Sequence, residues 1–389
     1  MIKTAFGKLS LFCRPIAVMA LLLGATGCVG PQPADTLHSR SGSPVLLTYP
    51  TIDSDLGEVL YPDEQALART IGLAIEKSIR SDYLPGSARR DAHPKAHGCV
   101  RAEFEIVDTL PANLAKGVFI PGKTYQAWVR FSNGSRDPNR ADSKGDARGM
   151  AIKLLGVPGT KLIEDDAQAT TQDFILINHP VFFANDPQRY LALIESTTSD
   201  SFFKKLRAPF ALGFKGSLIA WKMSRKKISN PLQTRYWSMV PYRLGTGPER
   251  VAVKYSARSC LASADPMPRK PGKNFLRDAL RKSLQDADVC MEFLVQPRTS
   301  ERMSVEDSMT EWREADAPFY KVATLRIPRQ SFATAQQDEF CEALAFSPWH
   351  ALPEHKPLGA TNRLRKVIYD HISRVRHAMN SSDRQEPAG

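Results

Sequence analysis

Tyr125-Gln126-Ala127-Trp128-Val129-Arg130-Phe131 decides how this chain is read. Successive side chains of an extended segment point to opposite sides. Tyr125, Ala127, Val129 and Phe131 therefore share one face, and Gln126, Trp128 and Arg130 the other. The first face is plain core. The second sets Arg130 beside large groups, where a buried guanidinium needs an anionic partner; a solvated strand end is the competing reading.

Outward from this segment, residues 99–106, 151–157 and 174–177 are short strand-like runs separated by Pro, Gly, Asn and Asp turns. Strands return near residues 235–242, 251–255 and 290–296. Helical spacing marks residues 62–82, residues 187–225 with a break at Pro209, residues 274–285 and residues 361–379. No internal repeat, βα alternation or glycine-rich phosphate loop occurs. The order predicts an α+β fold built on a curved antiparallel sheet or barrel, not a doubly wound one.

The first residues read as an address, not as fold. Lys3, Lys8 and Arg14 precede an apolar run at residues 16–23, too short to span a bilayer stably. Small residues then lead to Cys28, the arrangement of a secretory signal. It resembles a bacterial lipobox, which implies acylation of Cys28 and a periplasmic protein tied to a membrane. A plain cleaved signal or an uncleaved anchor is the alternative. The expected organisation is a signal at 1–27, a flexible tether at 28–60 rich in Pro, Gly, Ser and Thr, a folded domain at 61–380 and a disordered tail at 381–389.

The 389 residues are 42% hydrophobic and 24% charged, an ordinary globular balance, with a net charge of +12. Lys and Arg are spread along the chain, with one dense run at residues 222–227. That favours a solvated or membrane-facing patch over a nucleic-acid groove. Cys99, Cys260, Cys290 and Cys341 match no zinc spacing; one or two disulfides, or buried thiols, are both open.

Three groups could carry chemistry. His93, Lys95 and His97 alternate, so an extended segment would present all three on one face, with Arg90 just before them. Such a face suits an anion or a carboxylate-bearing cofactor, unless it is a solvated edge strand. Arg130 is the second. In the final helix, Arg365, Tyr369, Ser373 and Arg376 share one stripe. A cation one turn from a phenol favours the ionised form that a metal-ligating tyrosine needs, although such pairs are common on ordinary helices.

Taken together, the segments resemble the haem catalases. Arg90-Asp91-Ala92-His93-Pro94-Lys95 is similar to the distal-histidine segment of that family, and Phe104-Glu105-Ile106 to the Phe-Glu-Val that follows it. Arg130-Phe131-Ser132 matches its Arg-Phe-Ser. Asp146-Ala147-Arg148-Gly149-Met150-Ala151-Ile152-Lys153 resembles its Asp-Pro-Arg-Gly-Phe-Ala-Leu-Lys. Asn178-His179-Pro180-Val181-Phe182-Phe183, followed by Asp186-Pro187, resembles its Asn-Asn-Thr-Pro-(Ile/Val)-Phe-Phe and Asp-Pro. Arg365-Lys366-Val367-Ile368-Tyr369 fits its proximal Arg-x-x-x-Tyr. The strong parts are residues 90–190 and 346–376, and the likeness is greatest to the shorter catalase-related haem proteins.

The resemblance implies a catalase-like antiparallel β-barrel with surrounding helices and a C-terminal haem-ligating helix. It implies haem b as cofactor, with Tyr369 as axial ligand and Arg365 stabilising its charge. His93 would be the general acid–base, oriented by Ser132, with His97 as fallback. Arg90, Arg130 and Arg376 would pair with the propionates, and Phe182, Phe183 and Tyr190 would line the distal side. Two departures matter. The asparagine that holds peroxide falls at Ile177, with Asn178 one residue later; either Asn178 reaches the pocket through a bulge or that hydrogen bond is absent. The valine before the distal histidine is Ala92.

Both changes favour organic hydroperoxides, or slower peroxidase turnover, over fast disproportionation of hydrogen peroxide. The implied function is a peroxide-using oxidoreductase of the cell envelope, a peroxidase with weak catalase activity. Rearrangement of a fatty-acid hydroperoxide and non-catalytic haem binding are the alternatives. No nucleic-acid partner is implied, and homo-oligomer formation stays open.

Overall fold

The computed structural model describes residues 48–198, 208–384 and 386–387. The alternation around Val129 is realised as β2 (Thr124–Asn133), between β1 (Ala96–Ile106) and β3 (Arg148–Leu155). β4 (Thr171–Ile177), β5 (Tyr236–Trp237), β6 (Tyr242–Leu244), β7 (Val251–Ser259), β8 (Val289–Pro297) and β9 (Tyr320–Ile327) complete the sheet. The strand order is β5-β4-β3-β2-β1-β9-β8-β7-β6, every pairing is antiparallel, and β5 also pairs with β7. That second pairing closes the sheet into an eight-stranded barrel, with β6 as an outer strand on β7.

A small barrel is filled by its own side chains. Here Phe104, Phe119, Phe174, Tyr255 and Phe293 meet at the centre, with ring centroids as close as 4.8 Å. The interior is therefore solid, and any ligand site must lie outside the barrel wall.

Helices supply that outer layer. They are α1 (Glu64–Asp82), α2 (Pro187–Thr198), α3 (Ala208–Arg225), α4 (Phe275–Asp286), α5 (Ala335–Ala343) and α6 (Ala360–Met379). α1 buries Ala68, Ile71, Ile75 and Ile79 against Leu364, Val367, Ile368 and Ile372 of α6. The break expected at Pro209 falls instead at Gly213, whose φ of 66° interrupts α3. Pro209 sits in the helix's first turn, where its missing N–H costs little.

The tether and the tail end sooner than the sequence suggests. The fully buried Arg363 of α6 donates to Glu58 at 2.5 Å, Glu64 at 2.7 Å and Glu306 at 3.0 Å. Asp53 accepts from Arg250 at 2.7 Å, and Leu56 is packed core. The segment from Tyr49 is thus part of the domain. Glu386 reaches back to Lys153 at 2.9 Å, and Arg384 pairs with Asp166, so the tail docks too. The expected signal at 1–27 and Cys28 lie outside the described residues. Among the described residues, no helix is long and apolar enough to cross a membrane. Cys260 and Cys290 form a disulfide, whereas Cys99 and Cys341 are free and buried.

Candidate functional site

Two rows of outward-facing side chains cross β2, β3 and β4. Arg130 pairs with Ala151 and Ala151 with Ile175; Ser132 pairs with Gly149 and Gly149 with Ile177. These rows form one wall of a cavity of about 530 Å³, with α2, α3 and α6 as the other walls. Its size falls in the range of about 300–1,000 Å³ typical of ligand pockets. His93, Ser132, Phe182, Phe183, Tyr190, Arg365, Tyr369, Ser373 and the arginines Arg90, Arg130 and Arg376 all line it.

His93 enters the cavity because its backbone is left-handed, at φ 62°, a conformation uncommon for a non-glycine residue. Its Nδ1 lies 3.0 Å from Ser132 Oγ, and its carbonyl accepts from Arg130 Nη2 at 2.9 Å. A Cβ on Gly149 would come within 2.5 Å of that Nδ1, so only glycine leaves room for the ring. Burial, followed by the charges of Arg130 and Arg365, pushes the His93 imidazole down to about 3. It is neutral at ordinary pH and can accept a proton.

His93, Lys95 and His97 do not share a face, contrary to the alternation. The left-handed turn at His93 precedes β1, and a bulge follows between Ala96 and Gly98. Lys95 Nζ instead donates to Asp142 at 2.6 Å, and His97 Nδ1 lies 3.8 Å from the same carboxylate. His97 does not line the cavity, which removes it as the fallback base. Asn178 is the second correction. Its Oδ1 accepts from Arg148 N at 2.7 Å, and it does not line the cavity, whereas Ile177 does. Strand alternation has turned it away.

On α6, Arg365 Nη2 and Nε donate to Tyr369 Oη at 3.1 and 3.3 Å. Burial would lower the Arg365 guanidinium, but the Tyr369 and Tyr242 phenols and the hydrogen bond to Tyr369 hold it above its ordinary value. Phe182 packs on Phe183 at 4.2 Å and meets Tyr190 at 5.9 Å.

The three rim arginines converge on a residue that sequence reasoning missed. Arg90 Nη1 lies 2.6 Å, Arg376 Nη1 3.4 Å and Arg130 Nη2 4.0 Å from the Glu342 carboxylate. Burial would raise that carboxyl, but Arg90, Arg130 and Arg376 hold it below its usual value. Burial and the charge of Arg90 push Arg376 down to about 9, the mark of cations only partly compensated. Arg130 Nε and Ser373 Oγ are buried without a hydrogen-bond partner. Three guanidiniums facing one carboxylate, with spare donors, suit a ligand that brings two further carboxylates.

At another edge of the cavity, His350 contacts Asp166 at 2.7 Å and Asp173 at 3.0 Å. Burial would lower this ring, as would Lys153, but the carboxylates raise it above its ordinary value. Asp166, His350 and Glu386 stand close enough to hold a metal ion. With both ring nitrogens of His350 already engaged by Asp166 and Asp173, the cluster reads as a structural ion network.

Residues 87–206 match the family model described as Catalase. Catalase easC of Claviceps fusiformis is 26% identical over 128 residues, which is 33% of this chain and 24% of that protein. A fungal catalase structure superposes with a TM-score of 0.59 at 19% identity, covering 76% of this chain and 60% of that one. Catalase A from Saccharomyces cerevisiae gives 0.56 at 18% identity, covering 78% and 66%. The chain thus spans about a quarter of the curated relative and less than two thirds of either solved chain. It is catalase-like, in sequence over residues 87–206 and in fold through the barrel and its helices.

Proposed function

We propose that this catalase-like chain is a haem-dependent oxidoreductase acting on peroxides at the cell envelope. One observation carries the reading. A single cavity brings together a neutral His93, an arginine-held Tyr369 and three guanidiniums that outnumber their one carboxylate. Haem b fits that donor set, with Tyr369 as axial ligand and Arg90, Arg130 and Arg376 for its propionates. When bound it would supply the iron at which the peroxide O–O bond is reduced.

The chain's own residues manage protons and charge. His93 accepts a proton from one peroxide oxygen and returns it to the other. Ser132 holds Nδ1, which leaves Nε2 for the exchange. Arg365 donates to the Tyr369 oxygen through both Nη2 and Nε, which fixes the direction in which that oxygen faces the cavity. Asn178 gives His93 no polar partner, and Ile177 in its place makes the site more apolar. This supports peroxidase turnover of organic hydroperoxides with weak catalase activity. Leu193, Ile194 and Met223 extend the apolar lining, which also suits rearrangement of a fatty-acid hydroperoxide; product analysis separates the two. Acylation at Cys28 would tether the enzyme to a bacterial membrane on its periplasmic side, where the Cys260–Cys290 disulfide suits an oxidising compartment.

The test is the absorption spectrum of the full-length protein titrated with haem, beside Tyr369→Phe. A strong Soret band with a tyrosinate-type ferric spectrum in the parent, absent in the variant, is expected. If neither protein binds haem, the reading falls. If haem binds but peroxide is not consumed, the chain is a haem-binding lipoprotein instead.

A further inference from the structure

Beyond its kink at Gly213, α3 runs over residues 214–225 with two unlike faces. Gly216, Ile219 and Met223 are buried, and Ala220, Met223 and Ser224 line the cavity. The outer face carries Phe214 (88% exposed), Leu218 (41%) and Trp221 (53%), with Phe210 (83%) just before the kink. Large aromatic side chains this exposed are unusual on a soluble surface unless something covers them.

The same outer face is cationic. Lys222 and Arg225 are exposed on it and Lys227 follows; Lys215 is exposed too but lies 3.6 Å from Asp307, and residues 208–227 themselves contain no acid. The Arg225 guanidinium sits 4.9 Å over the Trp221 ring, so the aromatic group and the charge are offered together. An apolar stripe of Phe, Leu and Trp bordered by Lys and Arg is the composition of helices that lie in a membrane interface. Basic residues next to such a stripe are drawn to an anionic lipid surface. A protein partner with an acidic rim would match the charge but needs a shaped cleft, whereas a bilayer accepts the flat stripe as it stands.

We propose that α3 seats the molecule on an anionic lipid bilayer, with Phe214, Leu218 and Trp221 in the acyl-chain boundary. Lys222 and Arg225 then meet the head groups. The inner face of this helix is a wall of the cavity, so docking sets that wall against the lipid. The proposal deepens the peroxide reading and rests on it for the nature of the ligand: hydroperoxides carried on acyl chains become the nearest supply. The docking itself does not depend on that reading.

The experiment is fluorescence of the full-length protein with vesicles containing about 30% anionic lipid and dibrominated acyl chains, which quench only tryptophans at that depth. The Trp221 share is the difference between the parent and Trp221→Phe. It is expected to fall at least twofold on brominated vesicles, and to recover in Phe214→Ser/Lys222→Ser and at high salt. An unchanged Trp221 signal overturns the proposal. So does a Trp221 already shielded without vesicles in a sedimenting dimer, which would make the face a contact between copies. Quenching reports the depth of Trp221 whether or not haem binds or peroxide turns over, so the two readings fail separately.

Discussion

His93 and His97 stand four residues apart, and burial, the largest cause for each, pushes both imidazoles down to about 3. They differ in what surrounds them. The remaining causes at His93 are mainly the cations Arg130 and Arg365, and its ring meets the cavity. At His97 the carboxylate of Asp142 pulls upward while Arg148 and Lys95 pull downward, and the ring does not meet the cavity. A depressed imidazole therefore marks burial. Backbone geometry, a left-handed His93 against an extended His97, decides which ring a substrate can reach.

The difference can be broken from either side. Asp142 gathers Lys95, Asn133 and the Leu276 amide around its carboxylate. Asp142→Ala leaves the Lys95 ammonium buried and unpaired and should cost about 3–5 kcal/mol. Denaturant unfolding measures this, and the haem affinity of the folded fraction should stay the same. Gly149→Ala strikes the other side, because its Cβ would lie 2.5 Å from His93 Nδ1 and 2.7 Å from Ser132 Oγ. Peroxide turnover should drop about 10²-fold, as expected when a catalytic group is displaced by an ångström, with stability changed less than in Asp142→Ala.

Acid should act on both histidines alike. Each folded imidazole is held below its unfolded value, so below about pH 6.5 the unfolded chain binds a proton that the folded one does not. Stability is complete above that pH and falls as the pH drops towards 3, by about 1.4 kcal/mol per unit for each histidine. Thermal melts between pH 8 and pH 4 should show this. Initial turnover of the still-folded enzyme should have no acid limb near pH 6.5. Ser132→Ala is the mildest change. Losing one hydrogen bond of about 1 kcal/mol should slow turnover roughly fivefold, while His93 keeps its place through the Arg130 contact to its carbonyl.

Much of this was legible in the chain. Strict alternation in residues 125–131 foretold a strand with Arg130 on the face opposite Tyr125, Ala127, Val129 and Phe131, and the four-residue steps from Arg365 to Ser373 foretold the stripe on α6. The missing parts have physical reasons. β9 lost its alternation because a bulge opposite Phe293 and Leu294 buries Val322 and Ala323 together. α5 is nine residues long and buries only Cys341, so no periodicity flagged it and Glu342 went unseen. Asp53 and Glu58 looked like tether because their partners, Arg250 and Arg363, lie hundreds of residues away in sequence. The family match covers residues 87–206 and stops before Tyr369, so the helix side of the cavity rests on geometry and on the Arg-x-x-x-Tyr spacing.

The most direct measurement is peroxide turnover by haem-loaded, full-length His93→Gln beside His97→Gln. His93→Gln should lose about 10²–10⁴-fold in rate with its haem spectrum intact, as expected for removal of a general acid–base. His97→Gln should stay within about threefold and lose stability instead. If His97→Gln abolishes turnover while His93→Gln retains it, the cavity described here is not the reactive site.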